Sequence, residues 1–192
     1  MFLAEEKQKA VELGKNVFEY CDELAEKVSA DEQSIMFLPY IFGSNYNPQA
    51  KASLIGLDSH HTRPQIIRAV LEGIAFCHMV HLEKLLANRA STEAVRLAGG
   101  AANSLIWAQI FADVFKLPVE IVDTKELGTL GCAMAAAVAA GVFKDLQEAA
   151  KHMVNMKCRI EPNPSNFKAY EKKFALYKKV SGALENSWKD FT

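Results

Sequence analysis

Hydrophobic residues recur every three or four positions at the start of the chain, with glutamate and lysine between them. This spacing over residues 3–29 predicts one amphipathic helix. The short apolar run Ile35–Leu38 is stopped by Pro39, which predicts a buried strand. Residues 43–48, with the sequence GSNYNP, have the composition of a loop.

The clearest helix start lies at Thr62. Its hydroxyl can cap free backbone N–H groups, Pro64 falls in the first turn, and Gln65 can complete a capping box. The apolar spacing that follows predicts a helix extending to about Asn88.

Strand and helix patterns alternate from residue 94 onward. The predicted strands are 94–98 and 119–122, and the predicted helices are 104–115, 129–140, 145–154, capped by Asp145, and 166–189, opened by Ser165. This order predicts an α/β domain with a helix-rich C-terminal tail. Because few strands accompany so many helices, we expect the sheet to be incomplete.

The composition is that of an ordinary globular protein, with 50% hydrophobic and 23% charged residues. Lys+Arg 22 and Asp+Glu 23 nearly cancel, which argues against a general nucleic-acid binder or a polybasic membrane protein. The uncharged stretch 127–143 is too short and too small-sided to span a bilayer. We therefore expect a soluble, cytoplasmic protein with neither a nucleic-acid nor a membrane partner.

No metal site or disulfide framework is predicted. The cysteines stand far apart without a CxxC pair, so reduced and mostly buried thiols are expected; they are Cys21, Cys77, Cys132 and Cys158. His60 and His61 lack a third ligand at useful spacing, so a polar loop is favoured over a zinc site.

The strongest chemical signal is Gly99-Gly100 at the end of a predicted strand, followed by a helix that Ser104 can cap. Glycines let a ligand approach the main chain, and a helix N-terminus offers free N–H groups. On these residues alone, a tight turn without a ligand is the simpler interpretation. A GxxxxGK[ST] loop and a GxGxxG fingerprint are both absent, which excludes a Walker A loop and leaves a dinucleotide-dependent oxidoreductase unsupported.

Three motifs together carry a resemblance. Residues 99–114 (GGAANSLIWAQIFADV) resemble the adenosine-binding segment of FGGY-family carbohydrate kinases, within the actin-like ATPase superfamily. A second family signature is similar to residues 52–72, and a third to residues 127–133 (LGTLGCA). They follow the family order and spacing across roughly residues 35–154, so the turn-only interpretation falls away.

The resemblance implies a ribonuclease-H-like lobe of a kinase that uses ATP and Mg²⁺. It also implies that this kinase phosphorylates a hydroxyl group of a sugar, of the ketopentose class. It implies that Gly99, Gly100 and Ala101 lie along the adenosine and phosphates, and that Ser104, with Asn103, lies at the adenine edge. The pattern is nearest to the xylulose-kinase-like branch, and to the L-xylulose/3-keto-L-gulonate kinases in particular. Residues 43–48 depart from the Gly-Glu-Arg-x-Pro stretch of the xylulose and ribulose type.

The resemblance covers only the C-terminal lobe. The family's first phosphate loop, its metal-holding acidic residues and its catalytic aspartate belong to segments with no counterpart here, so no catalytic residue is assigned. We expect the chain to be a piece of a longer kinase and to be inactive alone. Its expected partner is the N-terminal lobe of that kinase, and a homodimer is also possible. A non-catalytic binding or oligomerisation module is the alternative. The predicted divisions are an N-terminal helix (1–30), the ATPase-like lobe (31–160) and a C-terminal docking helix (161–192).

Other charged residues have structural interpretations. Asp113 is expected to make a structural hydrogen bond, and Glu72 an ion pair or a helix contact. His78 and His81 are expected to be half-buried rather than catalytic. In the last helix, an aromatic stripe is expected to dock on the lobe and leave the lysines as a solvated face; the stripe is Phe167, Tyr170, Phe174, Tyr177, Leu184 and Trp188, and the lysines are Lys168, Lys172, Lys173, Lys178 and Lys179.

Overall fold

The computed structural model of this chain describes residues 3–32, 34–87, 91–124 and 126–191. The helices are α1 (Ala4–Glu12), α2 (Val17–Glu26), α3 (Arg63–Leu86), α4 (Leu105–Phe115), α5 (Leu127–Ala139), α6 (Leu146–Met153) and α7 (Phe167–Leu184). The strands are β1 (Met36–Leu38), β2 (Ser53–Ile55), β3 (Val95–Leu97), β4 (Val119–Val122) and β5 (Met156–Ile160). The α/β class and the helical C-terminal part are thus confirmed.

The prediction of one N-terminal helix is wrong, because the chain breaks between α1 and α2. Gly14 adopts a φ of 65°, which ends the first helix. Asn16 then caps the second helix: its side chain accepts a hydrogen bond from the Phe18 N–H at 2.8 Å, and its own N–H donates to Glu19 at 3.2 Å. The apolar period continues through the break, so periodicity alone did not reveal it.

Two sheets form instead of one. Strands β1 and β2 pair antiparallel, whereas β4 lies between β3, which is parallel to it, and β5, which is antiparallel. The sequence did not predict β2 or β5: β2 is three residues long, and β5 carries no apolar run. Within the described residues, β3 has a hydrogen-bonded neighbour on one side only.

Helix α3 runs through the middle of the fold, and its predicted start is confirmed. The Thr62 N–H donates to the Gln65 side chain at 2.8 Å. Gly73 lies against β1, where a β-carbon would stand 2.2 Å from the Phe37 carbonyl oxygen. The predicted end at Asn88 lies outside the described residues.

In the described part of the chain, α3 is long and apolar enough to cross a membrane, judged by length and composition alone. Of its most apolar 18-residue segment, 39% is buried inside the protein. It packs against α2, α4, β1 and α7. These contacts bury part of its apolar surface.

The aromatic stripe of α7 docks on α3 as predicted. The Phe76 ring contacts Tyr170, Phe174 and Tyr177 at centroid distances of 5.7–6.2 Å. The predicted helix ends early, at Leu184, and a 3₁₀ segment (Glu185–Phe191) then buries Trp188. At its other end, Ser165 lies in a 3₁₀ turn before the helix instead of capping it.

The prediction that the α7 lysines form one solvated face is wrong at Lys173. Its ammonium group is buried and pairs with Glu72 at 2.7 Å. Glu72 also pairs with Arg68 at 2.9 Å, and Arg68 donates to the Tyr170 hydroxyl at 2.8 Å. Burial lowers the pKa of Lys173. The ion pair expected of Glu72 is confirmed, and it joins α3 to α7.

Asp113 has the structural role predicted for it. Its buried carboxylate accepts hydrogen bonds from the Asn163 N–H and the Asn166 side chain, both at 2.7 Å, and from Gln109 at 2.8 Å. These bonds fix the turn that leads into α7. Asp113 is therefore an anchor for that turn.

The four thiols are free, but fewer are buried than expected. Cys21 is buried, Cys77 and Cys158 are half-buried, and Cys132 is exposed on α5. Helix α5 contains no buried residue at all, although it consists mostly of small apolar side chains.

Candidate functional site

A large open cleft lies at the carboxyl ends of the parallel strands β3 and β4. Helices α4 and α5 begin on its floor, and α2 forms one wall. Its volume is about 1380 Å³, above the range of about 300–1,000 Å³ that is usual for small-molecule sites. Open α/β sheets bind ligands at this edge, because strands end there and helix N-termini point toward it.

The Gly99–Ser104 turn forms the centre of the cleft. Gly99 adopts φ 76° and ψ −155°, a conformation that is essentially restricted to glycine. Residues Gly100–Asn103 then make a 3₁₀ turn, which the Ala102 N–H closes on the Gly99 carbonyl at 3.1 Å. A β-carbon added at Gly99 or Gly100 would meet no atom within 4 Å. Both glycines therefore leave open space above the main chain.

The structure brings most of the predicted site residues to this cleft. Gly99, Gly100, Asn103 and Ser104 line it. Ala101 and Ala102 both pack against the hydrophobic core, and of these two only Ala102 also lines the cleft.

Ser104 caps α4 as predicted. Its hydroxyl oxygen accepts a hydrogen bond from the Trp107 N–H at 3.1 Å, and the side chain is 7% exposed. The Trp107 indole also lines the cleft, where it donates to the Leu71 carbonyl at 3.0 Å and stacks on Phe111. The cap thus joins Ser104 to Trp107, and both residues line the cleft.

Helix α2 contributes a carboxylate that the sequence analysis missed. Asp22 lines the cleft together with Ser104. Burial raises the pKa of Asp22, the nearby Ser104 hydroxyl opposes that rise, and the carboxylates of Glu19 and Glu26 add to it. The helix break before Asn16 brings this side chain to the cleft, and the sequence signal for that break is the capping box.

The opposite end of the cleft is the start of α5. Glu126 precedes the helix without a side-chain cap, so the first N–H groups of α5 are free of a side-chain acceptor there. A β-carbon at Gly128 would meet nothing within 4 Å, and Lys157 supplies a cation at this end. Asp123 and Glu126 also line this end, so its charges are mixed, and the open space above Gly128 permits a close approach to the backbone.

No metal site is built from the described residues: none of their His, Cys, Asp and Glu side chains form a group of three or more that could hold an ion. His61 instead hydrogen-bonds within its loop, to Asp58. His78 lies half-buried against the Phe111 ring, and that burial lowers its pKa. The described residues therefore offer no cage of three or more such side chains for a metal ion.

A parallel strand pair that ends in a glycine turn, with a capped helix behind it and a second helix N-terminus across the cleft, matches the C-terminal lobes of sugar kinases of the actin-like ATPase fold. The chain belongs to the FGGY family of carbohydrate kinases: residues 2–140 match the C-terminal domain of that family. The family resemblance predicted from the three motifs is confirmed.

Sequence and structure comparisons agree on this family. The chain is 32% identical over 151 residues to the L-xylulose/3-keto-L-gulonate kinase of Escherichia coli (strain K12), covering 79% of this chain and 30% of that protein. Its fold matches a ligand-bound xylulose kinase from Lactobacillus acidophilus (TM-score 0.83, 28% identity, 94% of this chain and 37% of that one). It also matches the gluconate kinase of the same organism (TM-score 0.82, 29% identity, 91% and 36%). The chain thus spans about a third of the length of these relatives.

Proposed function

We propose that this chain supplies the adenine-nucleotide half-site of an ATP-dependent carbohydrate kinase. The observation that carries the proposal is the Gly99–Ser104 turn, which faces open space at the carboxyl edge of the parallel strands. In this proposal Gly99 and Gly100 let the nucleotide approach the backbone, and Asn103 and Ser104 lie at the adenine edge. Ala101 supports the turn from the core side.

The two ends of the cleft suit different parts of the nucleotide. In this proposal the backbone N–H groups at the start of α5, Lys157 and the open space above Gly128 receive the phosphates. The aromatic Trp107 side chain and the Ser104 hydroxyl receive the base. We therefore place the base beside α2 and α4, and the phosphates toward α5.

The acceptor in this proposal is a sugar or polyol hydroxyl, ketopentose-like in class. The relatives are named as xylulose, L-xylulose and gluconate kinases, and the sugar pocket belongs mainly to the part of the kinase that this chain does not cover. Phosphoryl transfer also needs Mg²⁺ and a base for the attacking hydroxyl. We propose that the N-terminal lobe provides both, that the chain alone is inactive, and that the kinase works in the cytoplasm.

Replacement of Gly100 by valine tests the site. The Gly100→Val side chain would fill the space above the turn, so we expect ATP affinity, followed by intrinsic tryptophan fluorescence and by calorimetry, to fall at least about tenfold. Gly182 on α7 also faces open space and lies outside this cleft, so Gly182→Val is the matched control. Unchanged ATP binding in Gly100→Val would refute the site assignment.

One observation favours the second candidate, a binding or oligomerisation module. Helix α5 is apolar yet has no buried residue, and β3 is unpaired on one side within the described residues. Sedimentation velocity and ADP release on ketopentoses separate the two functions. A dimer that binds no nucleotide would support the module, whereas a nucleotide-binding chain without turnover would support the kinase half-site.

A further inference from the structure

Arg68 is a buried cation that joins three helices. Its Nε donates to Glu72 on its own helix α3 at 2.9 Å, its Nη1 to the Ala25 carbonyl on α2 at 3.0 Å, and its Nη2 to the Tyr170 hydroxyl on α7 at 2.8 Å. The planar guanidinium holds these N–H groups in a fixed fork. The three bonds therefore fix α2, α3 and α7 relative to one another.

The bond to Ala25 lies at the C-terminal end of α2. Ala25 is the last residue but one of that helix, so its carbonyl is among the four that have no partner within the helix. The same carbonyl also accepts from the Val28 N–H at 3.2 Å. A cation is favourable at a helix C-terminus, because the carbonyl dipoles point toward it.

The apolar attachment of α2 is small. Its buried side chains, Cys21 and Ala25, form a cluster with Ile67 of α3 that is separate from the main hydrophobic core. Within the described residues, α2 contributes no side chain to that main core. A helix with few buried apolar contacts opens more easily than one in the core, so α2 depends strongly on the Arg68 bond.

Helix α2 is also a wall of the candidate nucleotide cleft. Its first two turns and its cap line that cleft, whereas Arg68 itself does not; the lining residues are Asn16, Phe18, Glu19, Cys21 and Asp22. A substitution at Arg68 can therefore reach the cleft only through the position of the helices that Arg68 holds.

We propose that Arg68 is a positioning residue that holds the C-terminal end of α2 and thereby keeps the cleft in the shape that binds the nucleotide. This inference rests on the proposed function. If α2 occupies its place for only a fraction of the time, the apparent affinity for the nucleotide falls by that fraction.

Arg68→Lys is the test variant. It keeps the positive charge beside Glu72, but a single ammonium group on a shorter side chain cannot reach Ala25 and Tyr170 together. Without nucleotide, we expect the backbone amides of α2 to exchange with deuterium about tenfold faster than in wild type. We expect ATP affinity, measured by calorimetry, to fall about three- to tenfold.

Tyr170→Phe is the matched control, because it breaks the bond to α7 and leaves the bond to α2. It should lower the urea midpoint, as Arg68→Lys does, since it leaves the Nη2 group buried without its partner. Its ATP affinity and its α2 exchange should stay within about twofold of wild type. Arg68→Gln, which leaves the Glu72–Lys173 pair in place, is the second test variant if circular dichroism shows that Arg68→Lys does not fold.

The outcomes are distinguishable. Unchanged α2 exchange in Arg68→Lys overturns the inference, and so does faster exchange without a loss of ATP affinity, because the cleft would then not depend on this wall. An equal loss of affinity in Tyr170→Phe also overturns it, because general loosening of the fold would explain both variants. Failure of the wild type to bind ATP refutes the proposed function, and with it the role of Arg68 toward a nucleotide, while the exchange data still decide whether Arg68 holds α2.

Discussion

Gly99 and Gly100 stand side by side in the cleft, yet they are glycines for different reasons. Gly99 has a backbone conformation that other residues rarely adopt, whereas Gly100 has a negative φ and simply leaves space. The backbone of the first requires glycine in the folded chain itself. The folded chain itself gives no reason for a glycine at position 100. We therefore attribute Gly100 to the close approach of a ligand.

Alanine at each of these positions separates the two causes. Gly99→Ala should lose about 1–3 kcal/mol of unfolding free energy through backbone strain, although its β-carbon meets no neighbour. Gly100→Ala should change stability by less than about 0.5 kcal/mol. Urea titration followed by circular dichroism measures both, and equal stability of the two variants would contradict the distinction.

The buried charges show what a sequence pattern misses at the level of residues. Lys173 follows the polar face of α7 in sequence, but the 3.6-residue period turns it toward Glu72. Predicting that pair requires knowing which face of α3 is opposite, and hydrophobic spacing does not carry this information. Glu72 itself could be predicted as paired, because a lone carboxylate inside an apolar helix must find a cation.

At the scale of elements, an ion pair holds the first helix to the third. The Arg63 guanidinium donates to both oxygens of Glu6, with the Nη2 to Oε2 distance at 2.7 Å, and the Glu6 side chain is 3% exposed. This hydrogen bonding holds the pKa of Glu6 below its usual range. Since α1 has few other buried residues among those described, the pair is a main link between α1 and the body of the fold.

The pKa of Glu6 predicts how stability depends on pH. A carboxylate with a lowered pKa stabilises the fold above its unfolded pKa, and this contribution is lost as pH falls through its folded pKa. Arg63→Gln should therefore be less stable than wild type at pH 7 and pH 5, and the gap should narrow below about pH 4. Urea midpoints across this range measure the gap.

Lys144→Gln is the control for that series, because Lys144 is 81% exposed and its contact with Asp145 is long, at 3.8 Å. Its midpoint should follow wild type at every pH. An Arg63→Gln gap that stays constant down to pH 3 would show that the pair does not contribute through the ionisation of Glu6.

Elements with strong local signals were predictable, and those that depend on pairing were not. The start of α3 follows from Thr62 and Gln65, and that of α6 from Asp145, whose side chain accepts from the Glu148 N–H at 2.8 Å. Strand β5 forms because β4 offers it an edge, so its half-exposed sequence carried no signal. The glycine turn of the candidate site was predictable for the same reason, because its sequence signal is local. Asp22 was not predictable, because it comes from a distant helix.

At the scale of the molecule, the C-terminal segment closes the core. Trp188 is 1% exposed and meets the Tyr40 ring edge-on at 6.4 Å, which ties the end of the chain to the loop after β1. The Tyr40 hydroxyl also hydrogen-bonds to Ser181 at 2.8 Å. The predicted docking of this segment thus depends on an aromatic anchor that lies beyond the end of α7.

Truncation of that anchor should be felt by the whole fold. Trp188→Ala should cost about 3–5 kcal/mol, because it leaves a cavity between the C-terminal segment and Tyr40. Phe191 is 60% exposed, and Phe191→Ala should cost less than about 1 kcal/mol, although the two rings contact each other at 5.8 Å. Circular dichroism during urea unfolding compares them without relying on the lost tryptophan. Similar losses in the two variants would mean that the segment docks as a loose apolar patch rather than through one buried ring.

In wild type, the Trp188 indole N–H has no hydrogen-bond partner among the described residues. Trp188→Phe removes that N–H and should therefore retain much of the stability that Trp188→Ala loses.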